Sequence, residues 1–432
     1  MIARARPDLA IVGTHIRTMD PTRPFGSAVA IRDGIITGVG SDAEIRDLCD
    51  AHTEVLHGSA MVLVPGLIDC HHHSLSAADF TTGADLTQIR SREELLAALS
   101  AEGDRVGPDD WIEGWGLDYG VFGDSPISNR IFDEIVGGRP ALIRMMDMHT
   151  AVASQRALEL AKLTGPVKFA DGSEIIFRDG TPTGELAEIS AIEIVAAAAP
   201  QPDAEERQAR CLRVLRECSS LGITQIHQMD GDAESFLLAE ELEASGGLPL
   251  RLIIALWHKP GTSSDVREEQ LALRMRHGRL WRGGVVKFFA DGVIDNGTAW
   301  LLEPDTRGGS LEPFWPSVSA YEEAVRCFAD AGFQCVTHAT GDGAVRAALD
   351  AYRRCGAAIG VRHRIEHIET LQDSDLQRFA AEGVVASMQP LHMQWRHDDG
   401  SDWWTEMLGP ERAARPWLCG DLVDTGAIVP FG

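Results

Sequence analysis

Two histidines separated by a single residue, His71 and His73, are the clearest chemical feature of the chain. They follow an apolar run that breaks at Pro65 and Gly66 and resumes as a short strand-like segment. Because successive side chains of a β-strand point to opposite faces, we expect His71 and His73 to share one face with Asp69. Two imidazoles on one face at the end of a strand form half of a site for a divalent metal such as zinc. Incidental histidines are the alternative for so short a motif.

Three later residues strengthen the metal hypothesis, because each lies in or ends a predicted apolar strand. Lys287 is costly to bury as a cation, so it is either paired with a carboxylate, for example that of Asp291, or held neutral. A neutral amine can react with carbon dioxide to give a carbamate that bridges two metal ions. His338 and His367 end two successive strands. A single buried histidine is usually a satisfied core residue, but this pair, together with His71 and the lysine, indicates a metal centre.

The segments that position these residues alternate between strands and helices. Counted from the His71 strand, with residues 75–200 set aside as an insertion, there are eight strand segments. Alternation of this kind predicts an α/β fold with a parallel sheet, and eight strands predict a (β/α)8 TIM barrel, whose active site lies at the carboxyl ends of the strands. The predicted strands after the first are 223–227, 250–256, 285–289, 334–338, 363–367, 384–388 and 427–430.

The sixth barrel strand, residues 363–367, carries polar residues on both faces. Alternation places His363, Ile365 and His367 on one face. Arg364 and Glu366 are then expected to face the surrounding helices, where an ion pair is the simplest role for them.

A small β-domain is predicted to precede the barrel. Residues 9–63 contain short β-rich segments separated by turn residues, and Asp33-Gly34 is a good hairpin turn. We therefore predict an N-terminal β-domain over residues 1–63 and a barrel domain over residues 64–432, with 75–200 as an inserted subdomain. Three aromatic residues of the insertion are candidates for apolar walls of a pocket, although packing in the insertion's own core is the favoured alternative. They are Trp111, Trp115 and Tyr119.

The composition excludes several classes of partner. The 432 residues include 65 acidic and 39 basic side chains, for a net charge of -26, which argues against nucleic acid or an anionic membrane surface and leaves a small molecule as the expected ligand. The eight cysteines form no CxxC pair, as expected of reduced thiols in a cytoplasmic enzyme. We identify no signal peptide, and no stretch approaches the roughly 20 apolar residues of a membrane span. The sequence leaves a homo-oligomer open.

As a set, these motifs resemble the amidohydrolase superfamily, and specifically the branch of YtcJ-like amidohydrolases that includes the N-substituted formamide deformylases. The resemblance covers essentially the whole chain. It implies that the N-terminal domain is part of a β-sandwich completed by C-terminal strands that are not in this chain. The matching stretches are 19–41, 64–73, 147–149, 179–184, 287–299, 338–342, 363–367 and 387–390.

The resemblance also implies a metal site and a reaction. His71 and His73 would bind a first divalent ion, His338 and His367 a second, and Lys287 would bridge the two as a carbamate. The cofactor is then one or two ions of a divalent metal, zinc being the expected element. The implied activity is hydrolysis of a non-peptide C–N bond, in an amide or N-substituted formamide, by a metal-activated water.

Four further residues are candidates for contact with the substrate. His227 is expected at the end of the second strand, within reach of the substrate carbonyl or the water. Asp291 follows the lysine strand, and Gln389 and His392 follow the seventh strand. Ordinary loop packing is the alternative for each of them.

The sequence departs from the family's pattern at its end. In this family an aspartate at the end of the eighth strand carries protons during the reaction, and here it would fall just past Gly432, so no catalytic aspartate is assigned within the chain. We expect the sequence to be a fragment of a longer protein. Two alternative functions stay open: a deaminase on the same barrel, against which Lys287 argues, and a non-catalytic amidohydrolase-like binding protein.

Overall fold

The computed structural model of the chain describes residues 6–59, 61–123, 125–356, 358 and 360–432. It divides into two compact units, one that ends at Leu67 and one that runs from Ile68 to Gly432. The first residues, up to Ala5, on which the absence of a signal peptide partly depends, lie outside the described residues.

The first unit consists of short strands, as the sequence predicts. Ala28–Arg32 and Ile35–Gly40 pair antiparallel, and both residues of the turn between them, Asp33 and Gly34, have positive φ (52° and 75°), as a tight hairpin turn requires. The helix Asp42–Arg46 begins at a capping box. The remaining strands, which complete one sheet of four strands and one of three, are Leu9–Val12, His15–Arg17, Phe25–Gly26, Glu54–His57 and Val62–Leu63. That these sheets belong to a larger β-sandwich stays a prediction.

The second unit contains an α/β barrel. Seven strands form one parallel sheet in the order in which they follow one another along the chain. They are Leu67–His72, Ile223–Gly231, Arg251–Trp257, Trp281–Phe289, Gln334–Ala339, Arg364–His367 and Val385–Ser387. The second strand extends past the predicted end at His227, because its pairing with the third strand resumes at Gly231 after an irregularity.

The end of the chain lies between the two outer strands of this sheet. Ala386 and Met388 of the seventh-strand segment donate backbone hydrogen bonds to Ile428 (3.0 Å) and Pro430 (3.1 Å). On the other side, the Cys70 amide of the first strand donates to the carbonyl of Phe431 (3.2 Å). The predicted eighth strand is thus present as a segment that joins the seventh strand to the first and nearly closes the barrel.

Helices follow the barrel strands and cover the sheet. The α-helices of this layer and of the C-terminal region are Ser74–Phe80, Ala204–Ser220, Ala233–Ala244, Ser264–Ala272, Val318–Asp330, Asp342–Cys355, Asp373–Glu382, Trp403–Leu408, Pro410–Ala413 and Cys419–Asp424. Short 3-10 helices span Leu273–Met275 and Pro390–Trp395. Among the described residues, no helix is long and apolar enough to cross a membrane.

The strand residues separate into two apolar layers, as alternation requires. Phe288 and Cys335 pack in the large cluster that includes the helices. Val285 and Val336 lie on the opposite face of the same two strands. They belong to a separate small cluster with Met229, Ile253 and Ala255. We assign this small cluster to the barrel interior, which leaves Lys287 and His338 facing the same interior, closer to the carboxyl ends.

A mixed sheet of six strands is inserted between the first and second barrel strands. Its strands are Ala84–Asp85, Ile112–Leu117, Ala141–Met145, Thr150–Ala153, Glu174–Arg178 and Thr181–Ala187. The α-helices of this region are Arg92–Arg105, Gln155–Leu160 and Ile189–Ala196, and the 3-10 helices are Tyr119–Phe122 and Asn129–Ile131. All eight cysteines of the chain are free thiols.

Candidate active site

A cavity of about 740 Å³ lies at the carboxyl ends of the barrel strands. This volume is typical of sites for small organic molecules. Its lining includes all five residues that the sequence predicts to hold metal, which come from the first, fourth, fifth and sixth strands: His71, His73, Lys287, His338 and His367. The barrel therefore brings these residues together.

His71 is oriented by a buried carboxylate. Its Nδ1 atom lies 2.6 Å from Oε2 of Glu366, whose side chain is fully buried. Although burial opposes ionisation of Glu366, Arg364 and His71 hold the pKa of this carboxyl well below its usual range. A carboxylate that accepts the hydrogen bond from Nδ1–H leaves the Nε2 lone pair of His71 free to bind a metal, which is the arrangement usual for metal-binding histidines.

His73 points toward the same place as His71. The two Nε2 atoms are 3.2 Å apart, close to the roughly 3.3 Å expected between two nitrogens that bind one tetrahedral zinc ion at about 2.05 Å. Nδ1 of His73 faces Asp230 at 3.5 Å. The chemistry of this pair fits a divalent metal, and the shared face predicted from alternation is present.

His338 and His367 form the other side of the group, with ring centroids 4.4 Å apart. His338 donates from Nε2 to the carbonyl of Gly292 at 2.9 Å, so its Nδ1 atom keeps a lone pair. Nδ1 of His367 is buried without a hydrogen-bond partner among the described residues. Burial, reinforced by neighbouring positive groups, lowers the pKa of both rings well below the usual value. Neutral imidazoles are the form that binds metal.

Lys287 is buried inside the barrel with 1% of its surface exposed. Burial lowers the pKa of its amine to about 7, with Glu366 opposing the shift. The carboxylate of Asp291, the alternative partner considered from the sequence, instead accepts backbone hydrogen bonds from Trp300 (2.9 Å), Thr340 (3.1 Å) and Gly341 (2.8 Å). The neutral amine that carbamate formation needs is thus accessible near neutral pH.

The predicted facing of the sixth strand is wrong. Arg364 and Glu366 point into the barrel and bind each other there at 2.9 Å, whereas His363 packs against Tyr352 of a helix. The side chain of His367 nevertheless reaches the cavity, because its backbone has a positive φ of 74° and leaves the regular strand alternation. The strand therefore supplies both a metal-binding candidate and the carboxylate that orients His71.

Comparison with known proteins identifies the family. A sequence model of the amidohydrolase family matches residues 60–432. This chain belongs to the amidohydrolase family. The family is one of hydrolases, in agreement with a site assembled from histidines at the carboxyl ends of barrel strands.

Individual relatives place this amidohydrolase in the YtcJ-like branch, as its motifs predict. It is 25% identical to the putative amidohydrolase YtcJ of Bacillus subtilis, over 97% of this chain and 79% of that protein. It is 26% identical to N-substituted formamide deformylase of Arthrobacter pascens, over 89% of this chain and 73% of that protein. The protein LONG AFTER FAR-RED 3 of Arabidopsis thaliana is 28% identical over 98% of this chain and 74% of its own length.

Solved structures confirm the barrel fold of this amidohydrolase. An uncharacterized metal-dependent hydrolase of Pyrococcus horikoshii matches with a TM-score of 0.72 and 22% identity, over 98% of this chain and 82% of that one. A second one, from Pyrococcus furiosus, has a TM-score of 0.70 and 23% identity, over 98% of this chain and 84% of that one.

The four predicted substrate-contacting residues of this amidohydrolase divide into two pairs. Gln389 and His392 line the cavity, and His392 stacks beside His367 at 5.6 Å. The predicted position of His227 at the end of the second strand is wrong. It lies four residues before the end of that strand, where its Nδ1 atom accepts from Arg364 at 2.7 Å. Asp291 is likewise occupied, since it ties loop backbone together as described above. Neither is among the described residues that line the cavity.

The insertion of the amidohydrolase supplies cavity residues that sequence reasoning missed. His149 lines the cavity, and its Nδ1 atom lies 2.6 Å from Oε2 of Glu188. Of the three aromatic candidates, Trp115 lines the cavity, whereas Tyr119 is buried and donates to Asp147 at 2.5 Å. In the described part of the chain no three His, Cys, Asp or Glu side chains are already grouped to hold one ion.

Proposed function

We propose that this amidohydrolase is metal-dependent and hydrolyses a non-peptide carbon–nitrogen bond, with an amide or N-substituted formamide as its substrate. The observation that carries the proposal is the pair of His71 and His73 Nε2 atoms, 3.2 Å apart, with the first ring fixed by Glu366. Relatives named as an amidohydrolase and as an N-substituted formamide deformylase support the bond type.

Five residues of this chain would hold the metal. His71 and His73 form one group and His338 and His367 the other. Lys287 would join them after its neutral amine attacks carbon dioxide and loses one proton, which gives a carbamate and H⁺. When bound, a divalent ion polarises the substrate carbonyl and makes water acidic enough to attack it at neutral pH.

The experiment compares the wild-type protein with a variant that carries His71→Ala and His73→Ala. We expect the wild type to retain zinc or another divalent ion after dialysis and to release aniline from N-phenylformamide. The double variant should lose the metal and at least about 100-fold of the turnover, since the ion supplies the attacking water. The exposed pair His15→Ala with His57→Ala is the matched control and should change neither quantity.

Two results would contradict the proposal. A wild type without bound metal points to the non-catalytic binding protein. Metal-dependent ammonia release from amino-substituted heterocycles, without cleavage of N-phenylformamide or other amides, points to the deaminase. Lys287 in the cavity argues against that second outcome.

A further inference from the structure

We infer that His149, which the insertion contributes, is a further catalytic residue that donates a hydrogen bond from Nε2–H to the carbonyl oxygen of the scissile amide. The inference rests on the proposed hydrolytic function and adds a second element of the site, outside the barrel strands. Glu188 is the positioning residue that orients the His149 ring.

The orientation of the ring is fixed by a fully engaged carboxylate. Oε2 of Glu188 lies 2.6 Å from Nδ1 of His149. Oε1 accepts from Nδ2 of Asn296 at 3.1 Å and from Oγ1 of Thr298 at 2.5 Å. Glu188 is only 1% exposed, so these three donors replace the water it has lost. Both donors to Oε1 lie in the loop after the fourth barrel strand. This loop therefore fixes, through Glu188, the position of the insertion's histidine relative to the site.

The Nε2 atom is the part of His149 that remains for a ligand. Nδ1–H is committed to the Glu188 carboxylate, with which the protonated ring forms an ion pair, and across the described residues no group accepts from Nε2–H. The ring lies 5.1 Å from the ring of His338 and 6.3 Å from that of Phe289, centroid to centroid, and lines the cavity. A substrate held beside His338 would therefore lie within reach of the His149 ring.

The backbone that presents this pair is strained. Glu188 has a φ of 70° and Met148, directly before His149, has a φ of 61°. Non-glycine residues in this region are strained and persist where the surroundings enforce them, often at functional sites. Here the two residues flank the paired strand ends Thr150 and Ala187, and the Glu188 amide donates to the His149 carbonyl at 2.6 Å. These two backbone conformations place the His149 ring at the cavity and the Glu188 carboxylate against its Nδ1 atom.

A hydrogen bond to the scissile group should act mainly on the chemical step. Negative charge develops on the carbonyl oxygen of the scissile amide as water attacks, so a fixed N–H donor there stabilises the transition state more than the bound substrate. Loss of such a group typically lowers kcat by about 100-fold. The effect should fall on kcat, with KM changed by less than about threefold.

The test measures kcat and KM for N-phenylformamide with three variants of the metal-loaded protein. We expect H149A to lower kcat about 100-fold at unchanged metal content, and H149Q, whose amide can still hydrogen-bond, to recover about a tenth of the lost rate or more. E188Q should lower kcat about tenfold and abolish the downfield proton resonance of the His149 Nδ1–H···Glu188 hydrogen bond. E193Q is the matched control, because Glu193 lies in the same insertion but pairs with Lys259 at 2.8 Å; it should behave as wild type.

A second readout does not depend on turnover. Calorimetry with formate, the carboxylate product, should show about tenfold weaker binding to H149A than to the wild type. The inference is overturned if H149A keeps kcat within threefold of wild type while the His71→Ala, His73→Ala variant is inactive, or if formate binds both forms equally. A wild type that hydrolyses no amide refutes the proposed function instead, and the calorimetry then still reports on His149 separately.

Discussion

At the scale of single residues, Glu366 is the group on which the metal-binding pair depends. It accepts from His71 and is itself neutralised by Arg364. We predict that Glu366→Gln weakens zinc affinity by about 10- to 100-fold, because an amide cannot hold the imidazole with the same charge and tautomer. Competition with a chromogenic chelator measures this affinity.

Asp375→Asn provides the control for Glu366→Gln. Asp375 is also a buried carboxylate bound to an arginine, with Nε of Arg346 at 2.9 Å, but it lies in a helix that covers the barrel. It should lower stability without changing zinc affinity. Equal zinc affinity of Glu366→Gln and wild type, in folded protein, would refute the orienting role.

Residue spacing predicted part of this site and missed another part for a definable reason. His71 and His73 obey strand alternation, so their common face could be derived from the sequence. His367 does not, because its φ of 74° turns its side chain to the same side as Arg364 and Glu366, whereas regular alternation would place it on the opposite side. Assuming a regular strand there assigned the orienting carboxylate to the wrong side. A single backbone torsion of this kind has no signature in the spacing of residues.

At the scale of elements, two loops at the carboxyl ends of the fourth and fifth strands are docked against each other. Asp291 accepts amides from both loops, and Gly341 lies against the backbone of Trp300, where a Cβ atom would overlap it. We predict that Gly341→Ala lowers the free energy of unfolding by about 1–3 kcal/mol, because the loop must move to make room. Urea denaturation measures the change.

Gly420→Ala is the matched control, since a Cβ atom there meets nothing within 4 Å and the residue lies in the helix Cys419–Asp424. It should leave stability unchanged or raise it by up to about 1 kcal/mol. A Gly341→Ala protein as stable as wild type would show that the two loops are not rigidly docked.

Sequence reasoning recovered the elements of the barrel better than the insertion. The parallel strands were predictable because most are short apolar runs that alternate with helices, and all seven overlap the predicted segments, although the second extends past its predicted end. The placement of His149 beside His338 was not, since these residues are 189 positions apart and join through a mixed sheet whose pairings leave no local pattern. In the sequence, the stretch Asp147-Met148-His149 stands out only as a match to the family.

At the scale of the whole molecule, the buried Lys287 links stability to pH. The pKa of its amine is about 7 in the folded protein, against an ordinary value of 10.5. Between these values the unfolded chain binds a proton that the folded protein does not, so stability should rise with pH. For metal-free protein without carbon dioxide, we predict that the stability of wild type relative to Lys287→Met rises by about 2 kcal/mol from pH 7 to pH 9.

Denaturation of both proteins at the two pH values measures this difference, in which the shared titrations cancel. Parallel stability curves for wild type and Lys287→Met would mean that the amine stays protonated when the protein folds.

The guanidinium of Arg364 also has a consequence for how the barrel assembles. It donates to the Cys70 carbonyl of the first strand (2.7 Å), to His227 of the second (2.7 Å) and to Ser387 of the seventh (3.0 Å). A slip of one residue in any of these strands would remove one of these acceptors from the buried guanidinium, which keeps only Glu366 on its own strand and the other two, at a cost of about 1–3 kcal/mol. Arg364, which lies beneath the active site, thus destabilises barrels with misaligned strands. The correct register is the one in which the histidines lie in one cavity.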